Sequence, residues 1–194
     1  MTSIKSVCVY CGASASADDL YQNSASELGS KMAKADLQLI YGGGASGLMG
    51  MTANAVLDNG GEVTGVFPEF LSKFETPHKG LTEIHIVESM HLRKQKMAEL
   101  SDCFVVMPGG FGTLEEFFEI LTWRQLQLHD KPVFLVNLNG YWDPMLEMLN
   151  RIFEEKFARE THRSCFAIVD TVDDLIDAIK VASKGAATLD KARI

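Results

Sequence analysis

The stretch Cys103–Trp123, CFVVMPGGFGTLEEFFEILTW, constrains this chain more than any other. Cys103 to Met107 is a short continuous apolar run, the pattern of a strand covered on both faces. Pro108, Gly109 and Gly110 follow, a bend that needs a permissive backbone. Gly112 and Thr113 come next, and an apolar helical segment is expected to open at Leu114. Strand, glycine turn and helix start in this order make an anion site. The first helical N–H groups have no partner within the helix, and the dipole there is positive. A phosphate fits such a helix start. Glu115 and Glu116 fall in the expected first turn. Carboxylates at that end stabilise a helix. Beside a phosphate cradle they can also act on the molecule that carries the phosphate. The residues alone leave both roles open.

The same junction recurs along the chain. Ile4–Tyr10 reads as a strand ending in a small-residue turn, Gly12 to Ser16, with Asp18 as a helix cap. Leu37–Tyr41 reads as a second strand running into Gly42-Gly43-Gly44 and on to Gly50, with a helix closing at Asn59-Gly60-Gly61. Further strands are expected at 62–67, 82–87, 133–138 and 166–169. Helices are expected at 19–34, from Met90 to Leu100 behind a Ser89 cap, from Leu114 to near His129, at 142–157 and at 171–183. Residues 69–80 read as a polar connection. Arg93, Lys94 and Lys96 sit near a helix start, where positive charge opposes the dipole. A solvated basic face accounts for them, and so does a nearby anion.

Short apolar strands alternating with helices define a Rossmann-like α/β domain: a doubly wound parallel sheet of about seven strands, helices on both faces. Ligands bind such sheets beyond the carboxyl ends of the strands, where all three glycine or serine loops fall. No clean G-x-G-x-x-G opens the first strand–helix unit, so the dinucleotide fingerprint is weak. The length of 194 residues suits one domain, read as 1–183 with a loose tail at 184–194.

The formal charge of −8, without a basic tract, argues against a nucleic-acid partner. It leaves room for a small anionic ligand. The amino terminus lacks the features of a signal peptide, and no apolar run approaches a membrane span. The expectation is a cytoplasmic protein without a membrane partner. Cys8 and Cys11 form a C-x-x-C, which suits a redox pair or half a metal site. At the end of a buried strand they also serve as small apolar residues, and no second pair completes a zinc set. His78, His85, His91, His129 and His162 lack paired ligand spacing, so no metal is expected.

Pro108-Gly-Gly-Phe-Gly-Thr-Leu-Glu-Glu116 matches P-G-G-x-G-T-x-x-E. It resembles the LOG family of cytokinin-activating enzymes, sequences also described as lysine decarboxylases. Tyr41–Gly50 resembles the family's second glycine loop. Ser89-Met-His-Leu-Arg-Lys94 resembles its S-M-H-x-R-K, and Thr122-Trp-Arg-Gln-Leu126 with His129-Asp-Lys-Pro132 resembles T-W-x-Q-L and H-D-K-P. The resemblance covers about Val7 to Val169. One departure is Leu92, where many members carry a polar residue such as glutamate.

The resemblance implies hydrolysis of the N-glycosidic bond of cytokinin riboside 5′-monophosphates, giving the free N6-substituted adenine and ribose 5-phosphate without a cofactor. It implies Arg93 and Glu116 as catalytic residues. Glu75, Lys94, Gly109, Gly110, Phe111, Gly112, Thr113, Leu114, Glu115 and Thr122 would bind substrate, Glu75 and Thr122 less securely. Ser14, Gly43, Gly44 and Met90 are further candidates, with Met90 and Trp123 considered for the base pocket. The chemistry suits these residue types: glycosidic cleavage builds positive charge on the ribose, which a carboxylate stabilises. Arg93 could keep Glu116 ionised, orient it, or clamp the phosphate. The family is typically dimeric, and the broad apolar surface expected from Leu114 to Leu128 suits a homodimer. Three other readings compete: a purine monophosphate hydrolase acting on AMP, a nucleotide sensor without catalysis, and a decarboxylase holding pyridoxal phosphate on Lys94.

Overall fold

The computed structural model describes residues 3–191. Seven strands, β1 (Ser6–Tyr10), β2 (Gln38–Tyr41), β3 (Val63–Pro68), β4 (Glu83–Val87), β5 (Cys103–Val106), β6 (Val133–Val136) and β7 (Ala167–Val169), form one sheet in the order β4-β3-β2-β1-β5-β6-β7. Every pairing is parallel. β1, β5 and β6 are buried along their whole length; β5 and β6 are unbroken apolar runs, and β1 departs from one only at Ser6.

Six α-helices cover the sheet: α1 (Asp19–Lys34), α2 (Gly47–Asp58), α3 (Met90–Leu100), α4 (Phe111–Gln125), α5 (Asp143–Glu154) and α6 (Val172–Lys191). One apolar cluster joins the sheet to Leu28 and Met32 of α1, Ala53 and Val56 of α2, and Leu175 and Ile179 of α6. The opposite cluster takes Met97 of α3, Phe117 and Ile120 of α4, and Leu149 of α5. Asp18 caps α1 by accepting the Leu20 N–H, 2.9 Å, and Ser89 caps α3 by accepting that of Leu92, 3.2 Å. α1 and α2 pack closely at Gly29, where an added Cβ would lie 2.4 Å from the Thr52 carbonyl oxygen.

The strand order reverses at β1. Its neighbours are β2 on one side and β5 on the other, with Val7 opposite both Leu39 and Cys103. This seam is the topological switch point, where doubly wound sheets open a crevice for ligands. Among the described residues no helix is long and apolar enough to cross a membrane.

Several boundaries differ from the sequence reading. α4 begins at Phe111, not Leu114, because Gly110 is extended (φ −98°, ψ −152°) and occupies the cap position. Glu115 and Glu116 therefore lie in the second turn, and their expected place in the first turn is corrected. α4 ends at Gln125 instead of near His129; Gln127, at φ 60°, turns the chain. Pro68 does not stop β3 but closes it, opposite Val87. The connection 69–80 opens with a 3-10 helix, Glu69–Lys73. The last helix continues past Ser183 to Lys191, and residues 192–194 of the expected tail lie outside the described residues.

Candidate active site

Three loops leave the carboxyl ends of β1, β2 and β5 and interlock through their backbones. The Gly12 N–H donates to the Pro108 carbonyl, 3.0 Å, and the Leu48 N–H donates to that of Gly12, 3.0 Å. An added Cβ at Gly47, which has φ 60°, would stand 2.4 Å from the Ala13 carbonyl carbon. At Gly109 it would stand 2.1 Å from Thr113 Oγ1, with Thr113 itself buried. Gly110 and Gly112 face open space. The glycines thus divide into those that let the loops touch and those that leave the start of α4 uncovered. No side chain caps α4, so its leading N–H groups remain available to a ligand. Leu114 is the exception: its N–H donates to Gly110, 3.0 Å, and its side chain packs on the core.

The 69–80 segment folds over the second glycine loop. The Ala45 N–H donates to the Thr76 carbonyl, 3.0 Å, and the His78 N–H to that of Gly43, 2.9 Å. Gly43 takes φ 78°, which a glycine adopts without strain. Glu75 is thereby brought beside Gly44, and its buried Oε2 has no hydrogen-bond partner.

Arg93 and Lys94 are both buried, which rules out a solvated basic face. The Arg93 guanidinium reaches from α3 to the end of β2, where Nη2 donates to the Gly42 carbonyl, 3.2 Å. A Cβ on Gly42 would fall 1.6 Å from that nitrogen, so only glycine admits the arginine. Nη1 lies 3.8 Å from Met90 Sδ, and Nε is buried without a partner. Among the described residues no carboxylate lies within ion-pair distance of Arg93. Burying a cation without a counter-charge is costly, so this position suits an anionic partner.

Lys94 is differently employed. Its ammonium pairs with Glu115 and, at 3.1 Å, with Glu119, linking α3 to α4. Burial works to lower its pKa, but hydrogen bonds and charge from the two glutamates outweigh it, and the net shift is upward. It is held as a cation, whereas a lysine that forms a Schiff base must be neutral.

Glu116 lies in the second turn of α4, within reach of the charges of Arg93, Glu115 and Lys94. Burial pushes its carboxyl up to about 7 from an ordinary 4.5; the Arg93 charge acts against that rise and Glu115 adds to it. A carboxyl near 7 exchanges protons at working pH, the property sought in a general base. The neighbouring cysteines do not compete for this role. Burial raises the Cys8 thiol to about 12 and carries that of Cys11 upward as well, so neither is a thiolate.

The structure therefore brings Gly43, Gly44, Glu75, Met90, Arg93, Gly109, Gly110, Thr113 and Glu116 to the carboxyl edge, with Lys94 and Glu115 paired beside them. Ser14 is exposed on the first loop, its hydroxyl 2.9 Å from that of Ser16. Phe111 points to solvent, 92% exposed. Thr122 is not brought in: it stands two turns beyond Glu115, and its hydroxyl donates to the Phe118 carbonyl, 2.7 Å. Trp123 lines a separate recess with Phe104, Leu128 and His129. Glu119 and Tyr141 escaped the sequence reading. Glu119 was accessible, one turn after Glu115 on the face that meets Lys94. Tyr141 follows an Asn-Gly turn at the end of β6, a place where a doubly wound sheet puts its ligands.

The fold is a Rossmann-type α/β domain, and its switch point gathers Arg93, Glu75 and Glu116 about an uncapped helix start. Residues 49–179 match the family described as "Possible lysine decarboxylase". The chain is 46% identical over 177 residues to a cytokinin riboside 5′-monophosphate phosphoribohydrolase of Rhodococcoides fascians, covering 91% of this chain and 89% of that one. It is 40% identical over 174 residues to the enzyme of that name, LOG3, from Arabidopsis thaliana, covering 90% and 81%. The chain belongs to this family, the LOG family. Among solved structures it is similar to a molybdenum cofactor binding protein of Rippkaea orientalis, with TM-score 0.70, 19% identity and coverage of 92% and 97%. That likeness concerns the fold alone.

Proposed function

We propose that this protein hydrolyses the N-glycosidic bond of N6-substituted adenosine 5′-monophosphates, releasing the free base and ribose 5-phosphate. The observation that carries the reading is a buried Arg93 with an unpartnered Nε and no carboxylate at ion-pair distance, together with a Glu116 carboxyl poised near 7, beside an uncapped helix start. The leading N–H groups of α4 hold the 5′-phosphate, and Glu116, one turn further on, meets the ribose of the same nucleotide. The C1′–N bond breaks with its electron pair leaving on the base, which gains a proton. Positive charge builds on the ribose ring, and ionised Glu116 stabilises it. A water oxygen bonds to C1′, Glu116 accepts the proton it sheds and releases it to solvent, and this balances the proton the base takes from solvent. Arg93 favours the ionised form of Glu116 by its charge.

The reading extends to assembly and location. Leu126 and Leu128 are exposed just beyond α4, apolar surface that supports a homodimer. Four free, buried cysteines suit a cytoplasmic protein.

A product assay tests the function. The purified protein is incubated with N6-isopentenyladenosine monophosphate or with AMP, and free base and ribose 5-phosphate are quantified. A higher kcat/KM on the isopentenyl nucleotide is expected. Equal or better release from AMP keeps the chemistry and discards the preference for the N6 substituent. No release from either, by folded protein, refutes the hydrolase.

A further inference from the structure

Tyr141 takes no part in the chemistry above, yet it touches the cradle. Its hydroxyl donates to the Gly109 carbonyl, 2.7 Å. Its ring stands edge-on to Tyr21 of α1, with centroids 5.4 Å apart and planes at 71°, and to Trp142, at 4.7 Å and 83°. Asn139 and Gly140, at φ 51° and 70°, turn the chain so that Tyr141 faces β5. Asn137 secures the turn from below: its side chain accepts the Trp142 N–H, 2.7 Å, and donates to Asp143, 2.8 Å. Tyr141 is thus fixed by its neighbours before any ligand binds. It also lines a mainly apolar recess of about 390 Å³ with Gly12, Tyr21, Leu48, Gly109 and Gly110.

The peptide it grips joins two glycines. Such a unit can rotate between orientations with little steric resistance. In a trans peptide the carbonyl and the following N–H point in opposite directions, and no cis peptide is present among the described residues. Holding the Gly109 carbonyl toward Tyr141 therefore turns the Gly110 N–H away from it. That N–H has no protein acceptor, and the space around Gly110 is open. It precedes the leading N–H groups of α4 and extends the same donor set.

We propose that Tyr141 is a positioning residue: it locks the Gly109–Gly110 peptide so that the Gly110 N–H adds a donor for the ligand's phosphate. The inference rests on the phosphoribohydrolase reading for the identity of that ligand. Losing the lock leaves the peptide free to turn, and phosphate affinity falls while the acid–base groups stay in place.

The test compares wild type with Tyr141→Phe, which keeps the ring packing and removes the hydroxyl. Calorimetric titration with ribose 5-phosphate is expected to give a Kd raised about tenfold in the variant. KM for the nucleoside monophosphate rises in step, and kcat stays within about twofold. kcat/KM on the corresponding nucleoside, which lacks the phosphate, is the same in both chains. A variant with unchanged Kd, or with equal losses on nucleotide and nucleoside, overturns the positioning role. Wild type that binds ribose 5-phosphate but hydrolyses no nucleotide fails the functional reading and leaves the Kd comparison intact. If Tyr141→Phe does not fold, the wild-type Gly110 amide resonance decides. It must shift at saturating ribose 5-phosphate, and an unmoved resonance refutes the inference.

Discussion

Glu116→Gln should lose turnover, keep nucleotide binding and gain stability in alkaline solution. The gain follows from the burial that raises this carboxyl from 4.5 to about 7. A group whose folded pKa lies above its unfolded one holds its proton longer in the folded state. Folding stability then falls as pH rises from the unfolded toward the folded value, and is flat above it. With each pH unit worth about 1.4 kcal/mol, wild type should lose about 2 kcal/mol between pH 5.5 and 8.5 through this residue. Glutamine has the shape of the protonated acid and does not titrate, so the variant escapes that loss. Urea unfolding of both chains at the two pH values isolates the effect, because the other titrating groups are shared. The variant should gain about 2 kcal/mol relative to wild type on going to pH 8.5. Parallel pH dependences would refute the buried-carboxylate argument. A gain accompanied by full activity would remove Glu116 from the mechanism while leaving its burial intact.

Three further outcomes follow from the same geometry. In wild type, kcat/KM should rise with pH and level off above about 7, as Glu116 loses its proton; a fall over that range would mean the protonated acid is the active form. Gly42→Ala places a methyl group 1.6 Å from the present position of Arg93 Nη2, so the arginine must move. A displacement of that size should lower kcat/KM about a hundredfold, and near-wild-type kinetics would show that Arg93 is not held by this contact. Gly29→Ala forces apart α1 and α2 at the Thr52 carbonyl, far from the chemistry. It should cost about 1–3 kcal/mol in urea unfolding with kcat/KM unchanged at 25 °C, and wild-type stability would mean the helices separate freely.

The sheet was legible because its information is local. Val105 and Leu135 sit in unbroken apolar runs, and such runs between helices leave little choice but a parallel sheet covered on both faces. The start of α4 was misplaced because Phe111-Gly112-Thr113 reads as loop by propensity, whereas the extended Gly110 sets the cap three residues earlier. The candidate site was legible through its glycines and through the motif resemblance. The partners of Arg93 and Lys94 were not. Their directions depend on how α3 crosses the sheet, and that crossing brings Arg93 to Gly42 and Lys94 to α4. A helix-dipole argument applied to α3 alone cannot see either contact. Tyr141 was missed for a similar reason, since its acceptor lies on another strand's loop.

The β1–β5 seam has a temporal consequence for the cell. Gly12 and Pro108 meet only when Val7 has found Cys103, so the first strand must wait for most of the sheet to be synthesised. Arg93 emerges just before that closure and Glu116 just after it. The two residues at the centre of the candidate site thus lie on either side of a contact between chain segments about a hundred residues apart. Assembly of the site therefore depends on long-range closure, the slow kind of contact, and not on local helix formation.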